Sequence, residues 1–414
     1  MIDYSVIPKS WKPLKLGEVC KVRNGYAFKS VDFKNSGVLL FRQTNLDGEN
    51  VKLKNSVYLP EAYLEKYQEY QILKGDVLVG MSGSIGKMCV YNLDKPALQN
   101  QRTGLLRFTD LVEKKYIRYY FEVLEQVFIK KSKGVAVLNI SAKDIQESEF
   151  HLPSIPEQQA IVAKIEELLS ELENGKQQLL TAQQQLKVYR QSLLKWAFEG
   201  KLTNKDVKDG ELPKGWKWVK NKELLKYVTS GSRDWKQYYS NKGSRFVRTQ
   251  DINSNKLDLA NSAYMDLPEK VEGKRSLIEE GDILMTITGA NVGKVAVVDF
   301  PIEDAYVSQS VALLKYQDKR ITKFLWYFFQ AQGFGKSFID KLVYGVGRPV
   351  LSLENMREVD VISCPIEDQQ EIIDELESKL TVCDKIEETI SQSLQQAETL
   401  RQSILKKAFE GNLL

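Results

Sequence analysis

The chain has 414 residues, with 59 Lys and Arg against 55 Asp and Glu, a single His and four Cys. This length fits roughly two to four domains, and 43% hydrophobic with 28% charged residues excludes a disordered or fibrous chain. The formal net charge of +4 neither indicates nor excludes nucleic-acid binding, because a basic face can lie on a nearly neutral protein.

The scarcity of His and the scatter of Cys argue against several kinds of site. His151 stands beside a proline-bounded connector, without the partners that a catalytic base needs. The Cys-x-x-Cys pairs typical of zinc sites do not occur among Cys20, Cys89, Cys364 and Cys383. No run of 18 apolar residues is present, and the N-terminus lacks the features of a secretory signal. We therefore expect no metal site, no membrane contact and a cytoplasmic location.

An internal repeat is the main feature of the sequence. Segments of the first half return in the same order in the second half, at an offset of about 205 residues. The matched segments are Pro8–Lys12 with Pro213–Lys217, Lys74–Leu78 with Glu280–Leu284, Gly83–Lys87 with Gly289–Lys294, and Arg190–Gly200 with Arg401–Gly411. The chain is therefore predicted to contain two copies of one domain-sized unit, joined head to tail.

The first part of each copy is predicted to be an α+β head with a small twisted sheet or barrel. Short β-type runs are separated by Gly, Asp, Asn and Ser at 77–79, 88–91, 105–108, 283–287, 295–298 and 311–314. Helix-like stretches follow at 116–128 and 323–332. Gly75-Asp76 and Gly281-Asp282 are predicted to form tight turns that lead into strands.

The second part of each copy is predicted to be one long helix. Apolar residues recur in steps of four and three, the spacing of a coiled-coil seam, and the residues between them are mostly Glu, Lys and Gln. The predicted core positions are Ile161, Ile165, Leu168, Leu172, Leu179, Leu186 and Leu193, then Ile373, Leu376, Leu380, Ile390, Leu394 and Ile404; Tyr189 and Trp196 share the spacing. Two such helices in one chain can pair antiparallel, with the heads at opposite ends. The alternative is a pair of core helices in larger domains.

These patterns predict four segments. A first recognition head covers 1–154, a long helix 155–205, a second head 206–364 and a second long helix 365–414.

The motifs of common enzymes are missing. Gly80–Lys87 has the composition of a phosphate-binding loop, but its spacing differs and Met88 stands where Ser or Thr would hold magnesium, so we interpret it as a hairpin turn. No dinucleotide-binding motif, amino-methyltransferase motif or convincing nuclease-like carboxylate pair is present. The sequence therefore indicates binding rather than catalysis.

Polar, arginine-bearing segments with interleaved aromatic residues occur at matching places in both copies. They are 23–30, 41–45 and 99–102 in the first copy and 231–239, 245–250 and 308–310 in the second, which adds 345–348. Arg can bind guanine, Asn and Gln can bind adenine, and Lys can bind phosphate. Since these segments diverge while the frame around them matches, they suit two different DNA half-sites; ordinary solvated loops are the alternative.

The whole chain resembles the specificity subunit of type I restriction–modification enzymes. The resemblance rests on Gly25–Ser30 with Phe33, on Gly231–Trp235, on the Gly-Asp strand starts, on Ile155–Gln159 and Ile366–Gln370 at the helix starts, and on Ala-Phe-Glu-Gly after both helices. Glu367 departs from the family, which usually has Pro there.

The resemblance implies two target-recognition domains that each bind one half of a bipartite target in double-stranded DNA. The long helices would act as a spacer for the gap and would dock two modification (methyltransferase) subunits. Those subunits would bind S-adenosylmethionine, restriction subunits would use ATP, Mg would lie on partner subunits, and this chain would bind no cofactor and have no catalytic residue.

Sixteen residues are predicted to contact DNA. They are Lys29, Arg42, Gln43, Lys87, Gln99, Asn100, Gln101 and Arg102 in the first copy, and Arg233, Arg245, Arg248, Thr249, Lys294, Ser308, Gln309 and Arg348 in the second. Two other hypotheses stay open at this point. One is a coiled-coil scaffold that presents two protein-binding heads, and the other is a self-contained, metal-dependent nuclease.

Overall fold

The computed structural model describes residues 2–48, 50–131, 139–204, 206–268 and 274–414, apart from the side chains of Gln126, Lys130, Lys131, Arg233, Asp234 and Lys236. The chain divides into two compact units. The first unit contains residues 1–179 and 392–414, and the second contains residues 180–391. Each of the two longest helices therefore contributes one part to each unit.

The first unit contains three sheets. Its strands are Lys12–Lys15 (β1), Cys20–Asn24 (β2), Val38–Phe41 (β3), Val57–Leu59 (β4), Gln71–Ile72 (β5), Val77–Gly80 (β6), Met88–Val90 (β7), Ala97–Gln99 (β8), Thr103–Phe108 (β9) and Glu149–Leu152 (β10). In the described residues they form an antiparallel sheet β2-β9-β6-β7, a mixed sheet β4-β3-β8-β5 and the pair β1-β10.

The second unit repeats this arrangement with small changes. Its strands are Lys217–Lys220 (β11), Leu225–Ser230 (β12), Tyr239–Ser240 (β13), Ser244–Val247 (β14), Ile252–Asn253 (β15), Lys256–Leu257 (β16), Ala263–Met265 (β17), Ile283–Thr286 (β18), Val295–Val297 (β19), Ala305–Val307 (β20), Val311–Tyr316 (β21) and Asp360–Ser363 (β22). The sheets are β12-β21-β18-β19, β13-β17-β14-β20, β11-β22 and β15-β16. The matching strand orders agree with the internal repeat, and the mixture of sheets and helices agrees with the predicted α+β class.

The helices include the two long ones that were predicted. The α-helices are Tyr63–Lys66 (α1), Lys114–Lys131 (α2), Ala142–Gln146 (α3), Ile155–Phe198 (α4), Asn221–Leu224 (α5), Thr322–Phe328 (α6), Gly335–Leu342 (α7), Leu353–Glu358 (α8) and Ile366–Phe409 (α9). Short 3-10 helices are Leu16–Glu18, Ser30–Asp32, Gln43–Asn45, Gln68–Tyr70, Arg233–Tyr238, Thr249–Asp251, Lys274–Ser276 and Lys319–Ile321. The predicted helix 323–332 is too long, because α6 ends at Phe328 and the chain turns through Gly333, whose φ is +84°.

The repeated Gly-Asp dipeptides build the same turn in both units. Gly75 and Gly281 have φ values of +93° and +85°, which favour glycine. The carboxylate of Asp76 accepts a hydrogen bond from the backbone N–H of Leu73 at 2.9 Å and pairs with Arg107. Asp282 accepts from the N–H of Glu279 at 2.7 Å and pairs with Lys315 at 2.7 Å. The dipeptide therefore fixes the strand start and neutralises a cation on the neighbouring strand.

The two long helices begin with a matched contact to the head. The indole N–H of Trp11 donates to Glu157 at 2.8 Å, and that of Trp216 donates to Asp368 at 2.8 Å. A carboxylate in the first turn of a helix is also favoured by the helix dipole. The repeated tryptophans therefore orient both helix starts.

Burial along the long helices is uneven. Among the predicted core positions, those at the buried level are Ile161, Ile165, Leu186, Leu193, Ile373, Leu376, Ile390 and Ile404, and those partly buried are Leu168, Leu172, Leu179, Leu380 and Leu394. The inclusion of Tyr189 and Trp196 was wrong, because these side chains are 43% and 41% exposed. Leu194, Ala197 and Phe198 are buried there instead. None of the described helices is both long and apolar enough to cross a bilayer.

Candidate nucleic-acid interface

A pair of parallel strands builds the candidate site of the first unit. β3 and β8 are parallel neighbours, with Phe41 opposite Gln99. The carboxyl ends of parallel neighbours meet at one sheet edge, so the loops that follow them, 42–45 and 100–102, lie side by side. The N–H of Asn100 donates to the carbonyl of Phe41 at 3.0 Å, which joins the two loops.

A third segment reaches the same edge because it contains a glycine. The N–H of Tyr26 donates to the carbonyl of Gln99 at 3.0 Å, and the N–H of Gln101 donates to the carbonyl of Tyr26 at 3.0 Å. A Cβ at Gly25 would lie 2.3 Å from the carbonyl oxygen of Asn100, so no other residue permits this approach. The three polar segments of the first copy are therefore neighbours in the structure.

The loops enclose a cleft of about 340 Å³ in the first unit. Its walls are Phe33, Arg42, Gln43, Thr44, Asn100, Gln101 and Arg102, five of which were predicted to contact DNA. The side chains of Gln101 and Arg102 are exposed, and that of Arg42 is half-buried. Among the described residues, the guanidinium group of Arg42 donates only a long bond of 3.4 Å to the carbonyl of Asn55, and its buried Nε has no partner. The cleft therefore presents unused donors at its rim.

The three other predicted residues of the first copy lie elsewhere. Gln99 is fully buried, and its amide nitrogen donates to the carbonyls of Arg23 at 3.0 Å and Thr103 at 2.7 Å. Its amide is thus used inside the protein, and the structure does not place it where it could contact a base; it holds the loop that follows. Lys29 is exposed outside the cleft, and Lys87 is exposed at a separate cleft.

Hydrogen bonds hold a partly buried arginine, Arg23, beneath the first cleft. Burial, with a smaller effect from Arg107, lowers the pKa of Arg23 from its ordinary value. Its guanidinium donates to the carbonyl of Gln71 at 2.9 Å and to the side chain of Gln99 at 3.3 Å. Arg23 therefore supports the edge strands from below rather than forming part of the open rim.

The second unit builds its site in the same way. β14 and β20 are parallel, with Val247 opposite Val307, and the N–H of Ser308 donates to the carbonyl of Val247 at 2.8 Å. A Cβ at Gly231 would lie 1.9 Å from the carbonyl oxygen of Val307. Loops 248–251 and 308–310 therefore meet segment 231–232, as their counterparts do in the first unit.

A hairpin adds a fourth element to the second site. The cleft there has a volume of about 560 Å³ and is lined by Ser230, Gly231, Ile287, Thr288, Gln309, Ser310, Arg348, Val350, Leu351, Ser352 and Leu353. Gln309 and Arg348, both predicted to contact DNA, are exposed at its rim. Their side chains make no hydrogen bond or ion pair within the part of the chain that the structure describes.

Two further predicted residues of the second copy, Arg248 and Arg245, already contact other residues of the protein. Arg248 donates to Asp251 at 3.4 Å and to the carbonyl of Asn261 at 2.9 Å. Arg245 donates to the hydroxyl of Ser262 at 3.0 Å and lies 5.5 Å from the centre of the Tyr264 ring.

The last four predicted residues of the second copy differ in exposure. Ser308 is buried, whereas Thr249 and Lys294 are partly exposed. The side chain of Arg233 lies outside the described residues.

Thr44, Ser230 and Thr288 were not predicted to line these clefts. Thr44 does lie in the predicted polar segment 41–45, whereas Ser230 and Thr288 lie outside the predicted segments, because the strand pairing that brings them to the cleft joins parts far apart in the chain. Within the described ranges, no cluster of His, Cys, Asp and Glu could hold a metal ion. Both clefts offer hydrogen-bond donors and acceptors together with positive charge.

The chain matches the family model described as "Type I restriction modification DNA specificity domain". The match occurs twice, at residues 8–182 and 213–396. Each match contains one of the two clefts and its supporting sheets.

Individual relatives agree with this match over nearly the whole chain. The specificity subunit of the type I restriction enzyme EcoBI from Escherichia coli is 28% identical, with 98% of this chain and 87% of the relative covered. The EcoKI specificity subunit from E. coli strain K12 is 22% identical, with coverage of 98% and 90%.

Solved structures share the fold. A chain from a study of the assembly and conformational transition of the type I R-M system has a TM-score of 0.73 and 19% identity, and covers 98% of this chain and 99% of its own length. The HsdS subunit from Thermoanaerobacter tengcongensis has a TM-score of 0.60 and 18% identity, with coverage of 98% for both chains.

Proposed function

This chain belongs to the family of type I restriction–modification DNA specificity proteins, and from that premise we propose that it selects the DNA site for a type I restriction–modification complex. It is a non-catalytic recognition subunit. The observation that carries the proposal is the duplicated sheet edge, where backbone hydrogen bonds bring three polar segments together in each unit, next to a cleft. Neither a protein-binding scaffold nor a self-contained nuclease is favoured by this family membership.

Each unit binds one half of a bipartite target in double-stranded DNA. The two family matches and the different residues at the two clefts support this division. Exposed lysines such as Lys29 and Lys87 neutralise phosphates, which gives affinity that depends on salt but little on sequence. The side chains at the cleft rims contact base edges and supply the sequence preference.

The long helices form an antiparallel coiled coil that separates the two recognition heads. Lys176 of α4 pairs with Glu398 of α9 at 3.6 Å in the first unit. Arg190, farther along α4, pairs at 2.7 Å with Asp384, which lies earlier in α9, in the second unit. A later residue of α4 thus pairs with an earlier residue of α9, as antiparallel pairing requires. The segments 1–154, 155–205, 206–364 and 365–414 are the corresponding functional divisions.

Other subunits supply the chemistry. Two methyltransferase subunits dock on the helices and bind S-adenosylmethionine, and restriction subunits use ATP and Mg. The complex works in the cytoplasm, where its DNA lies. This chain contributes the choice of site and the distance between half-sites.

Mapping methylated adenines across a genome tests the main proposal. The chain would be expressed with its cognate type I methyltransferase subunit, in a host that lacks other adenine methyltransferases. We expect modification at one bipartite sequence with a fixed gap. A matched control carries the chain with residues 206–364 replaced by the head of another specificity subunit, and only the second half-site should change. Modification that is absent or not bipartite would contradict the proposal.

A matched deletion in both helices tests the spacer. Removing residues 180–186 and 388–394 preserves the seven-residue period and keeps both ion pairs described above. The coil shortens by about 10 Å, at 1.5 Å per helical residue, which corresponds to about three base pairs. We expect a shorter gap between unchanged half-sites, read by the same methylation mapping. An unchanged gap with full activity would show that the helices do not set it.

A further inference from the structure

The hairpin 344–350 of the second unit carries a fully exposed valine at its tip. Val346 has a relative exposure of 107%, and it stands between Gly345 and Gly347. A single exposed apolar residue is ordinary on a protein surface and carries no meaning alone. Val346, however, lies beside the second cleft, at the end of a hairpin whose base is held by hydrogen bonds.

The hairpin is fixed at its base. The N–H of Tyr344 donates to the carbonyl of Val350 at 3.0 Å, and the N–H of Val350 returns a bond of 2.8 Å. The N–H of Gly289 donates to the carbonyl of Pro349 at 2.9 Å, and Leu351, just beyond, is buried in the core. These bonds pair the two strands of the hairpin with each other and tie the second strand to the segment that continues β18.

The tip itself is tight and needs glycine at one side. Gly345 has a φ of +92°, and a Cβ there would lie 2.7 Å from the carbonyl oxygen of Arg348. A Cβ at Gly347 would meet nothing within 4 Å, so the space beside the tip is open. The isopropyl group of Val346 therefore projects from a short rigid arm without side chains on either side.

The same hairpin delivers a cation to the cleft. Arg348 lines the cleft together with Gln309, and the N–H of Ile287 donates to the carbonyl of Ser310 at 2.9 Å, which connects the hairpin support to that loop. A ligand that Arg348 and Gln309 contact would thus have Val346 close beside it. Among the groups that DNA shows in the major groove, the thymine C5-methyl is the apolar one.

We propose that Val346 is a specificity-determining residue that contacts a thymine methyl group in the second half-site. This inference rests on the proposed function, because it assigns a partner to the same cleft. Arg348 and Gln309 bond to polar base edges or phosphate, while the valine methyls exclude water from the thymine methyl. The matching sequence of the first copy, 134–137, lies outside the described residues, so the inference concerns the second unit.

Single replacement of thymine by deoxyuridine tests the contact, since uracil lacks only the methyl group. Duplexes that carry the mapped target would be bound by the full chain in complex with its methyltransferase, with each thymine of the second half-site replaced in turn on either strand. We expect one position at which the replacement weakens binding about three- to five-fold, the effect of one buried methyl group. With the Val346→Ala variant, the same replacement should have little effect.

Two controls separate the possible outcomes. Val90→Ala removes an exposed valine from β7 of the first unit and should keep the full response to deoxyuridine in the second half-site. Arg348→Ala should weaken binding yet keep the response. A second half-site without thymine on either strand, or a wild-type complex that is indifferent to every replacement, would overturn the inference while leaving the proposed function intact. Failure of the wild-type complex to prefer any target would instead count against the proposed function.

Discussion

The two units use the same loop frame but treat a matching arginine differently. Arg42 and Arg248 each precede a 3-10 helix whose third residue caps their backbone N–H, at 2.9 Å for Asn45 and 2.8 Å for Asp251. Asn45 is neutral and donates to the carbonyl of Lys52. Asp251 is a carboxylate and also binds the guanidinium of Arg248.

This difference shows how a repeated frame can acquire two specificities. Capping requires only an oxygen at that position, so Asn and Asp serve the frame equally well. Their charges, however, decide whether the preceding arginine is held by the protein or left for a ligand. The first unit keeps Arg42 at its cleft, whereas the second relies on Arg348 from the hairpin. Divergence in recognition therefore needs no change in strand pairing.

The largest difference between the two units should appear when the aspartates of the Gly-Asp turns are replaced. Asp282 and its partner Lys315 are both buried, whereas the side chain of Arg107, the partner of Asp76, is 55% exposed. Asp282→Ala should cost about 3 kcal/mol of local stability, at the low end for a broken buried pair because Glu279 still reaches Lys315 at 3.1 Å. Asp76→Ala should cost about 1–2 kcal/mol, through its lost hydrogen bonds. Hydrogen exchange of β18 and β21, compared with β6 and β9, measures both effects, and equal losses would refute the contrast.

The glycines that let the third segment approach should each affect only one unit. Gly25→Ala would place a Cβ against the backbone of Asn100 and should displace segment 25–30 from the sheet edge and disturb the loop 100–102 that lines the first cleft. We expect a loss of first half-site preference of about 2 kcal/mol, comparable to the loss of a bidentate base contact. Competition binding with each half-site scrambled measures it. Gly231→Ala is the matched variant, and an effect of either change on the other half-site would contradict the independence of the units.

The exposed arginines should also act on separate half-sites. Arg42→Ala should weaken discrimination at one position of the first half-site by about 1–3 kcal/mol, and Arg348→Ala should do the same in the second. Arg248→Ala should relax a second half-site position by less, because Asp251 already binds that guanidinium. Methylation mapping of the three variants gives the comparison. Uniform weakening across all sequences would assign these residues to phosphate rather than to bases.

The smallest effect should come from replacing Asp251, the capping residue of the second unit, by the Asn that caps the first unit. Asp251→Asn keeps an oxygen for the N–H of Arg248 but releases its guanidinium, as in the first unit. We expect DNA affinity to rise by a few-fold and the slope of log affinity against log salt to steepen by about one, because one negative charge that offsets the guanidinium is removed. Asn45→Asp should produce the opposite change in the first unit. An unchanged slope in both variants would mean that the cap does not control the arginine.

The sequence predicted the frame better than it predicted the site. The long helices and the strands that start at Gly-Asp follow from local patterns, which act over a few residues. Gln99 was misjudged because a glutamine that fills a buried hydrogen-bonding position has the same sequence context as an exposed one. Arg248 looked equivalent to Arg42, since the influence of Asp251 depends on side-chain geometry. In the hairpin, Arg348 was predicted from the sequence to contact DNA and lies at the second cleft, whereas Val346 was not singled out.

The uneven burial of the long helices implies a gradient of local stability. Between residues 166 and 185 no side chain of α4 is buried, and Leu180, Val382 and Ile386 are about half exposed. Backbone amides in such stretches depend on helical hydrogen bonds with little tertiary support, so they should exchange with solvent sooner than those near Ile165 or Leu193. When a partner helix covers the exposed apolar side chains of this stretch, its backbone amides should exchange more slowly. Slow exchange at the helix ends with fast exchange at the centre would then mark the free chain, and the assembled complex would lack this difference.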